Sequence, residues 1–167
     1  MKIITRLAVV ALLLFCFTNT QAQKFGHINS NDLLDAMPEV KVADSALQAY
    51  QKSLEDLNES MVKEYSTKLA DYQSHPEWSD EKKQITEAEL TDLQDRIQKF
   101  QSDAQDKFAA KKDALYSPIL KKADDAIKAV AKENNYAYVF DTGVGAVLYA
   151  QDSDNIMDLV KKKLGLK

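Results

Sequence analysis

The sequence contains a single cysteine, Cys16, which lies in an N-terminal segment that we expect to be removed. This segment has the order of a secretory signal peptide: Lys2 and Arg6 provide positive charge, an apolar run follows over residues 7–17, and Ala22 precedes the expected cleavage point. The apolar run is about eleven residues long, whereas a membrane-spanning helix needs roughly 20. We therefore predict a signal peptide over residues 1–22. The mature chain would have no cysteine, which excludes disulfides, thiol catalysis and cysteine metal sites.

Glycine is scarce as well, and its distribution predicts long helices. The four glycines all lie outside residues 39–133, a stretch rich in Ala, Leu, Glu, Lys and Gln, which are good helix formers. Apolar side chains at the start of this stretch alternate steps of three and four residues, the heptad spacing of a two-helix seam. They are Val40, Ala43, Leu47, Tyr50, Leu54, Leu57 and Met61. The seam continues through Tyr65, Leu69 and Tyr72. The steps from Met61 to Tyr65 and from Tyr65 to Leu69 are both four residues, a stutter that locally unwinds a supercoil.

Two of the three prolines interrupt the helical stretch. Pro76 disfavours helix at the residue before it, and Ser79 is a good helix cap, so the tip of a helical hairpin is predicted near residues 74–79. The returning helix has its own seam, at Leu90, Leu93, Ile97, Phe100 and Ala104. Pro118 either kinks this helix or marks a restart with Ser117 as the cap. We predict an antiparallel helical-hairpin, coiled-coil arm over residues 39–133.

The two ends of the mature chain, residues 23–38 and 134–167, predict a small β body. Residues 24–28 and 136–140 are strand-like, and residues 146–150 form a third candidate strand that would pair with the second as a hairpin. Three short strands seldom form a core alone, so we expect further copies of the chain to complete it. The fold class is α+β, a helical arm on a β body completed by oligomerisation into a barrel-like core. Its expected oligomer-core residues are Phe25, Ile28, Val139, Phe140, Val147 and Leu148.

Several kinds of chemistry lack the residues that they require. The sequence has neither a G-x-x-x-x-G-K-[ST] loop nor a G-x-G-x-x-G motif, so ATP-driven and dinucleotide chemistry are unsupported. The two histidines, His27 and His75, are predicted at opposite ends of the arm and cannot share a metal ion. The mature chain would carry 20 basic and 26 acidic residues, which argues against duplex nucleic acid as a partner. We expect no enzyme activity, no cofactor and no stable membrane insertion of the mature chain.

The sequence Asp141-Thr142-Gly143 matches the active-site signature of aspartic proteases, in which two carboxylates share a proton. That fold needs many strands around the motif, whereas here a long helix precedes it and only a short segment follows. We interpret the motif as a turn between two strands. A protease remains a minor alternative, and it would lose its activity in the variant Asp141→Asn.

The predicted order of elements resembles the Skp (OmpH-like) family of periplasmic chaperones over essentially the whole mature chain. The most specific matches lie at its two ends. They are FGHINS at residues 25–30 running into LLDAMPE at residues 33–39, and AIKAVA at residues 126–131 continuing to YVFD at residues 138–141. The resemblance implies a periplasmic homotrimer, in which three arms surround a cavity that holds unfolded outer-membrane proteins without ATP and prevents their aggregation.

Client binding is expected near the arm tip, where the seam shifts and aromatic residues gather. The candidate residues are Tyr65, Leu69, Tyr72, Trp78 and Ile85; the competing interpretation is that they only pack the hairpin. Well-known family members are basic, whereas this mature chain is acidic, so lipopolysaccharide and anionic-lipid binding are not carried over. The main alternative function is that of an exported coiled-coil structural or adaptor protein that binds one specific folded partner.

Overall fold

The computed structural model describes residues 23–166, so the predicted signal peptide lies outside the described residues. Within them, two long helices form an arm, and two strands with two short helices form a base. In chain order the elements are β1 (Lys24–Ile28), α1 (Ser30–Ala36), α2 (Pro38–Ser74), α3 (Asp80–Glu133), β2 (Tyr136–Asp141), a 3-10 turn (Asp152–Asp154) and α4 (Met157–Leu164). The predicted α+β fold and the helical hairpin are confirmed.

The long helices begin and end at residues whose local chemistry accounts for the boundaries. Met37 is extended between α1 and α2 because Pro38 follows it, and a proline disfavours helical geometry in the preceding residue. The hydroxyl of Ser79 accepts a hydrogen bond from the backbone N–H of Lys82 and caps α3. Because α2 has 37 residues, the arm extends about 55 Å from the base at 1.5 Å per residue. Pro118 lies inside α3, which continues through it, so the structure rules out the restart, one of the two alternatives for this position.

The arm is closely packed at its two ends and loosely packed in its middle. Near the base the buried residues of the two helices are Val40, Ala43, Ile119, Ala123, Ala126 and Val130. Near the tip they are Thr86, Leu90 and Leu93. Among the described residues of α2 and α3, no side chain between these two groups is fully buried. The middle of the arm therefore contributes little burial to the stability of the hairpin.

A polar pair replaces part of the predicted seam in the middle of the arm. The side-chain amide of Gln101 donates a hydrogen bond of 3.1 Å to the side-chain carbonyl of Asn58. Leu57, which the heptad spacing placed in the seam, is 50% exposed instead. The physical reason is that an unsupercoiled α-helix drifts by about 20° per heptad, so a step of four from Leu54 to Asn58 restores contact with the partner helix.

The base is built on a parallel strand pair that brings together the two ends of the described chain. β1 pairs with β2 in parallel, and the whole arm serves as the connection between them. The predicted hairpin between residues 136–140 and 146–150 is wrong, because residues 146–150 are not a strand in the described structure. One face of the pair packs on the helices. The side chains buried there most completely are Ile28, Leu33, Met37, Ile156 and Val160.

Candidate functional site

The outer face of the strand pair carries three aromatic side chains in contact with one another, and Tyr138 stacks on both of the others. Phe25, Tyr138 and Phe140 project from this face because Phe25 lies opposite Tyr138 and His27 lies opposite Phe140 in the register of the two strands. The ring centroids are 5.9 to 6.3 Å apart. The three residues, here called the aromatic face, remain 46%, 57% and 47% exposed. Contiguous exposed apolar patches of this kind commonly mark interaction surfaces.

The segment of residues 146–150 borders this surface and adds to its apolar character. Val147 and Tyr149 line a groove together with Phe25 and Phe140. Leu148 is fully exposed. Of the six expected oligomer-core residues, the structure places three on this outer side, Phe25, Phe140 and Val147, and leaves Leu148 exposed to solvent.

The other two expected oligomer-core residues face the inside of the subunit. Ile28 is buried in the subunit core, and Val139 packs against that core. Both alternate along their strands with outward-facing aromatic residues, as strand geometry requires. The covering of Ile28 by the helices of its own chain differs from the expectation that another copy is needed to bury it.

His27 ties residues 146–151 to the strand pair. Its Nε2 lies 2.9 Å from the carbonyl oxygen of Gln151, and because a carbonyl only accepts, Nε2 carries the hydrogen. The backbone N–H of Ile156 donates to the carbonyl of His27, which extends the contact to the start of α4. These bonds hold the predicted strand residue His27 between the aromatic face and the last part of the described chain.

Asp141 joins the end of β2 to the start of α1. Its carboxylate accepts hydrogen bonds from the backbone N–H of Ser30 at 3.1 Å, from the hydroxyl of Ser30 at 2.6 Å and from the backbone N–H of Gly143 at 2.8 Å. Burial raises the pKa of Asp141, but the hydrogen bonds from Ser30 and Gly143 outweigh burial and hold the pKa below its usual value. The Asp-Thr-Gly motif is thus a turn whose carboxylate caps a helix, and the turn leads into an irregular segment.

The predicted client-binding residues near the tip lie mostly between the two helices of the arm. Tyr65, Leu69 and Tyr72 are half-buried, and the hydroxyl of Tyr72 donates a hydrogen bond to Glu87 on α3. This hydrogen bond raises the pKa of Tyr72, since ionisation would place a second negative charge beside the carboxylate. These contacts favour a packing role for all three residues.

The remaining two tip residues differ from each other. Trp78 is half-buried, with its ring edge-on to that of Tyr72 at 6.4 Å between centroids. Ile85 is 57% exposed and is the member of the predicted set most available to a partner. Sequence reasoning missed four further exposed apolar side chains on the arm, Val42, Leu57, Val62 and Leu120. Leu57 was predicted in the seam, whereas each of the other three lies next to a more buried apolar residue of its helix, and this position is the only sequence signal for their exposure.

Neither a metal centre nor a membrane span is found in residues 23–166. No group of three histidine, aspartate or glutamate side chains in this part of the chain could hold a metal ion. No helix within the same residues combines the length and the apolar character needed to cross a bilayer.

These features define a class of protein in which a long helical hairpin extends from a small β base. The family model described as "Outer membrane protein (OmpH-like)" matches residues 24–164, and the chain belongs to this OmpH-like family. No curated protein matches the chain. Among solved structures, the chain is similar to a Caulobacter crescentus protein described as an OmpH-like outer membrane chaperone. The TM-score is 0.75 at 14% identity, with 87% of this chain and 86% of the other covered, which shows a shared fold.

Proposed function

We propose that this protein is an exported, non-enzymatic holdase that binds unfolded outer-membrane proteins between the arms of a homotrimer and prevents their aggregation without ATP. The observation that carries the proposal is the exposed aromatic face on a base from which a long arm extends. The family membership and the description of the Caulobacter relative as an outer membrane chaperone support the same function.

The aromatic face supports the oligomeric part of the proposal. Burying a large apolar side chain contributes about 1.5–3 kcal/mol relative to leaving it in water. Phe25, Tyr138 and Phe140 each remain about half exposed in the single chain, so association of copies through this face would be favourable. Leu148 and Tyr149, which are almost wholly exposed beside it, would add to the same interface.

The arm supports the client-binding part of the proposal. Three arms joined at one base would enclose a space whose depth is set by the length of α2, about 55 Å. Ile85, Leu57 and Val42 expose apolar surface along the arm and offer contacts to an unfolded chain. The net negative charge of the mature chain favours clients with basic segments.

The predicted signal peptide supports export, and a periplasmic location follows for a protein that meets outer-membrane proteins before they insert. The proposed assembly also assigns a role to each part of the chain. Residues 23–38 and 134–167 would form the association domain, and residues 39–133 would form the client-holding arm.

Solution mass and shape provide the test of assembly. Light scattering with small-angle X-ray scattering on the mature chain should give three copies and a hollow, elongated profile. Phe140→Ser should weaken the assembly, because it removes an aromatic face ring that is already half exposed in the single chain. Val144→Ser is the matched control, since Val144 is exposed in the nearby turn but outside the aromatic face. A compact monomer for the unchanged sequence would refute the proposal that copies of the chain associate through their bases.

Suppression of aggregation provides the test of function. An unfolded outer-membrane β-barrel protein diluted from urea should remain soluble when the chaperone is present at near-stoichiometric amounts, and several unrelated β-barrel clients should behave alike. Ile85→Ser should weaken this protection, whereas Val144→Ser, an exposed apolar position on the base and outside the arm, is the matched control. Protection of no unfolded client, together with tight binding of one folded protein, would favour the structural or adaptor alternative.

A further inference from the structure

An open groove lies between the two helices in the middle of the arm, where the seam is loosely packed. The groove has a volume of about 360 Å³ and a mostly apolar lining. Its lining residues are Gln51, Leu54 and Glu55 on α2, and Ala104, Gln105 and Phe108 on α3. The three apolar members of this lining are only half-buried, so the arm leaves part of their surface free for a further side chain.

The sequence accounts for the opening. Along the seam of α3, Ala104 is a small residue between the large side chains of Phe100 and Phe108. Next to the groove on the side of the tip, Asn58 and Gln101 bond across the seam, so amides occupy a position where apolar side chains would otherwise close the interface. Side chains that border such a gap lack the contacts that neighbouring atoms would supply, and an apolar side chain that enters the gap restores these contacts.

The polar groups at the rim favour a partner segment that carries positive charge. Glu55 is the one charged residue of the lining, and within residues 23–166 it forms no ion pair. Its carboxylate accepts a hydrogen bond of 2.9 Å from the amide of Gln51. The three lysines nearest in sequence to the lining have partners elsewhere on the arm: Asp56 for Lys52, the Phe100 ring for Lys107 and the Tyr50 ring for Lys111.

We propose that this groove anchors the client by taking one leucine or aromatic side chain of an unfolded segment that has a lysine or arginine close by. The inference rests on the proposed holdase function and names the part of the arm that grips the client. Ligand sites run from roughly 300 to 1,000 Å³, so the groove fits a single side chain rather than part of a folded domain. Strands of outer-membrane barrels alternate apolar and polar side chains, so a suitable side chain recurs along each client.

Filling the groove provides the test. In the full mature protein, Ala104→Leu places one of the chain's own side chains in the opening, and slower amide exchange over residues 50–58 would show that the leucine fills it. The probe is an outer-membrane β-barrel protein unfolded in urea, and its dissociation constant should rise about tenfold, the factor expected for the loss of one partly buried apolar contact. Ala110→Leu is the matched control, since it adds the same side chain at an exposed position of α3 outside the groove.

A change of charge at the rim tests the same site without altering its packing. Glu55→Lys should raise the dissociation constant of the client about twofold to threefold, because an exposed ion pair contributes little to binding. Glu59→Lys is its matched control, since it changes the net charge equally at an exposed position of α2 outside the lining.

The possible outcomes separate this inference from the proposed function. Equal client affinity in Ala104→Leu and Ala110→Leu would overturn the groove assignment alone if the unchanged protein still protects clients. Should Ala104→Leu fail to fold, equal affinity in Glu55→Lys and Glu59→Lys would overturn it instead. An unchanged protein that protects no client would overturn the function and the inference together. A change in assembly mass caused by Ala104→Leu without client would show that a second copy occupies the groove, and would also overturn the inference.

Discussion

The variant Asp141→Asn tests how the base is held together. The Asp141 carboxylate accepts three hydrogen bonds, from Ser30 and Gly143, whereas a carboxamide accepts through one oxygen and presents an N–H₂ group to the remaining donors. Hydrogen bonds to a charged partner contribute about 1.5–3 kcal/mol each, and Asp141 is half-buried, so the lower end of this range applies to the loss. We expect a decrease of about 2 kcal/mol in the free energy of unfolding, or about 4–8 °C in Tm.

The pH dependence of the same variant is a second consequence. The folded state lowers the pKa of Asp141 below its unfolded value, so the carboxylate stabilises the fold above about pH 4 and this contribution is lost as the pH falls through the folded pKa. The difference in Tm between the unchanged protein and Asp141→Asn should therefore be present at neutral pH and vanish in acid.

Thermal unfolding followed by circular dichroism, at one protein concentration and a series of pH values, provides the measurement. Asp152→Asn is the control, since Asp152 is an exposed acid of the same base. Equal Tm values for the two variants at neutral pH, or a difference that grows in acid, would refute the capping role of Asp141.

Three further outcomes follow from packing. Gly26→Ala should destabilise the base by about 1–3 kcal/mol, because the added Cβ would lie 3.0 Å from the Tyr136 ring and 3.1 Å from Ile156 Cγ2; an unchanged Tm would contradict this close approach. Ile156→Ala should lower the free energy of unfolding by about 2–5 kcal/mol, measured by urea denaturation, since Ile156 is fully buried. A smaller decrease would show that the surrounding side chains of the base fill the cavity. Replacing both Asn58 and Gln101 with leucine should stabilise the arm by about 1–2 kcal/mol and slow amide exchange in its middle; faster exchange would show that the polar pair supports the hairpin.

The helical hairpin could be predicted from the sequence because its signals are local. The heptad spacing and the absence of glycine specify two long helices, and Pro76 with Ser79 specifies the turn between them. The exact seam could not be predicted, since the choice between Leu57 and Asn58 depends on how strongly the two helices supercoil.

The base was harder to predict because its contacts are distant in sequence. Residues 146–150 have the composition of a strand, but composition does not supply a partner strand, and none is present in the described chain. The parallel pairing of β1 with β2 also carries no local signal, since it depends on the arm returning the chain to its starting point. The contacts of Phe25 with Tyr138 and Phe140 follow only once that register is known.

The large sequence separation between contacting residues of the base should also set the order in which the molecule folds. Ser30 bonds to Asp141 across 111 positions, and His27 bonds to Gln151 across 124, whereas the contacts near the arm tip join residues close in sequence. Contacts between distant residues form slowly because a long loop must close first. The helical hairpin should therefore form first at its tip and extend toward the base. The base should form only after the last part of the chain has been synthesised. The proposed assembly of copies would need a finished base, so it would be the final step, and its rate should rise with protein concentration.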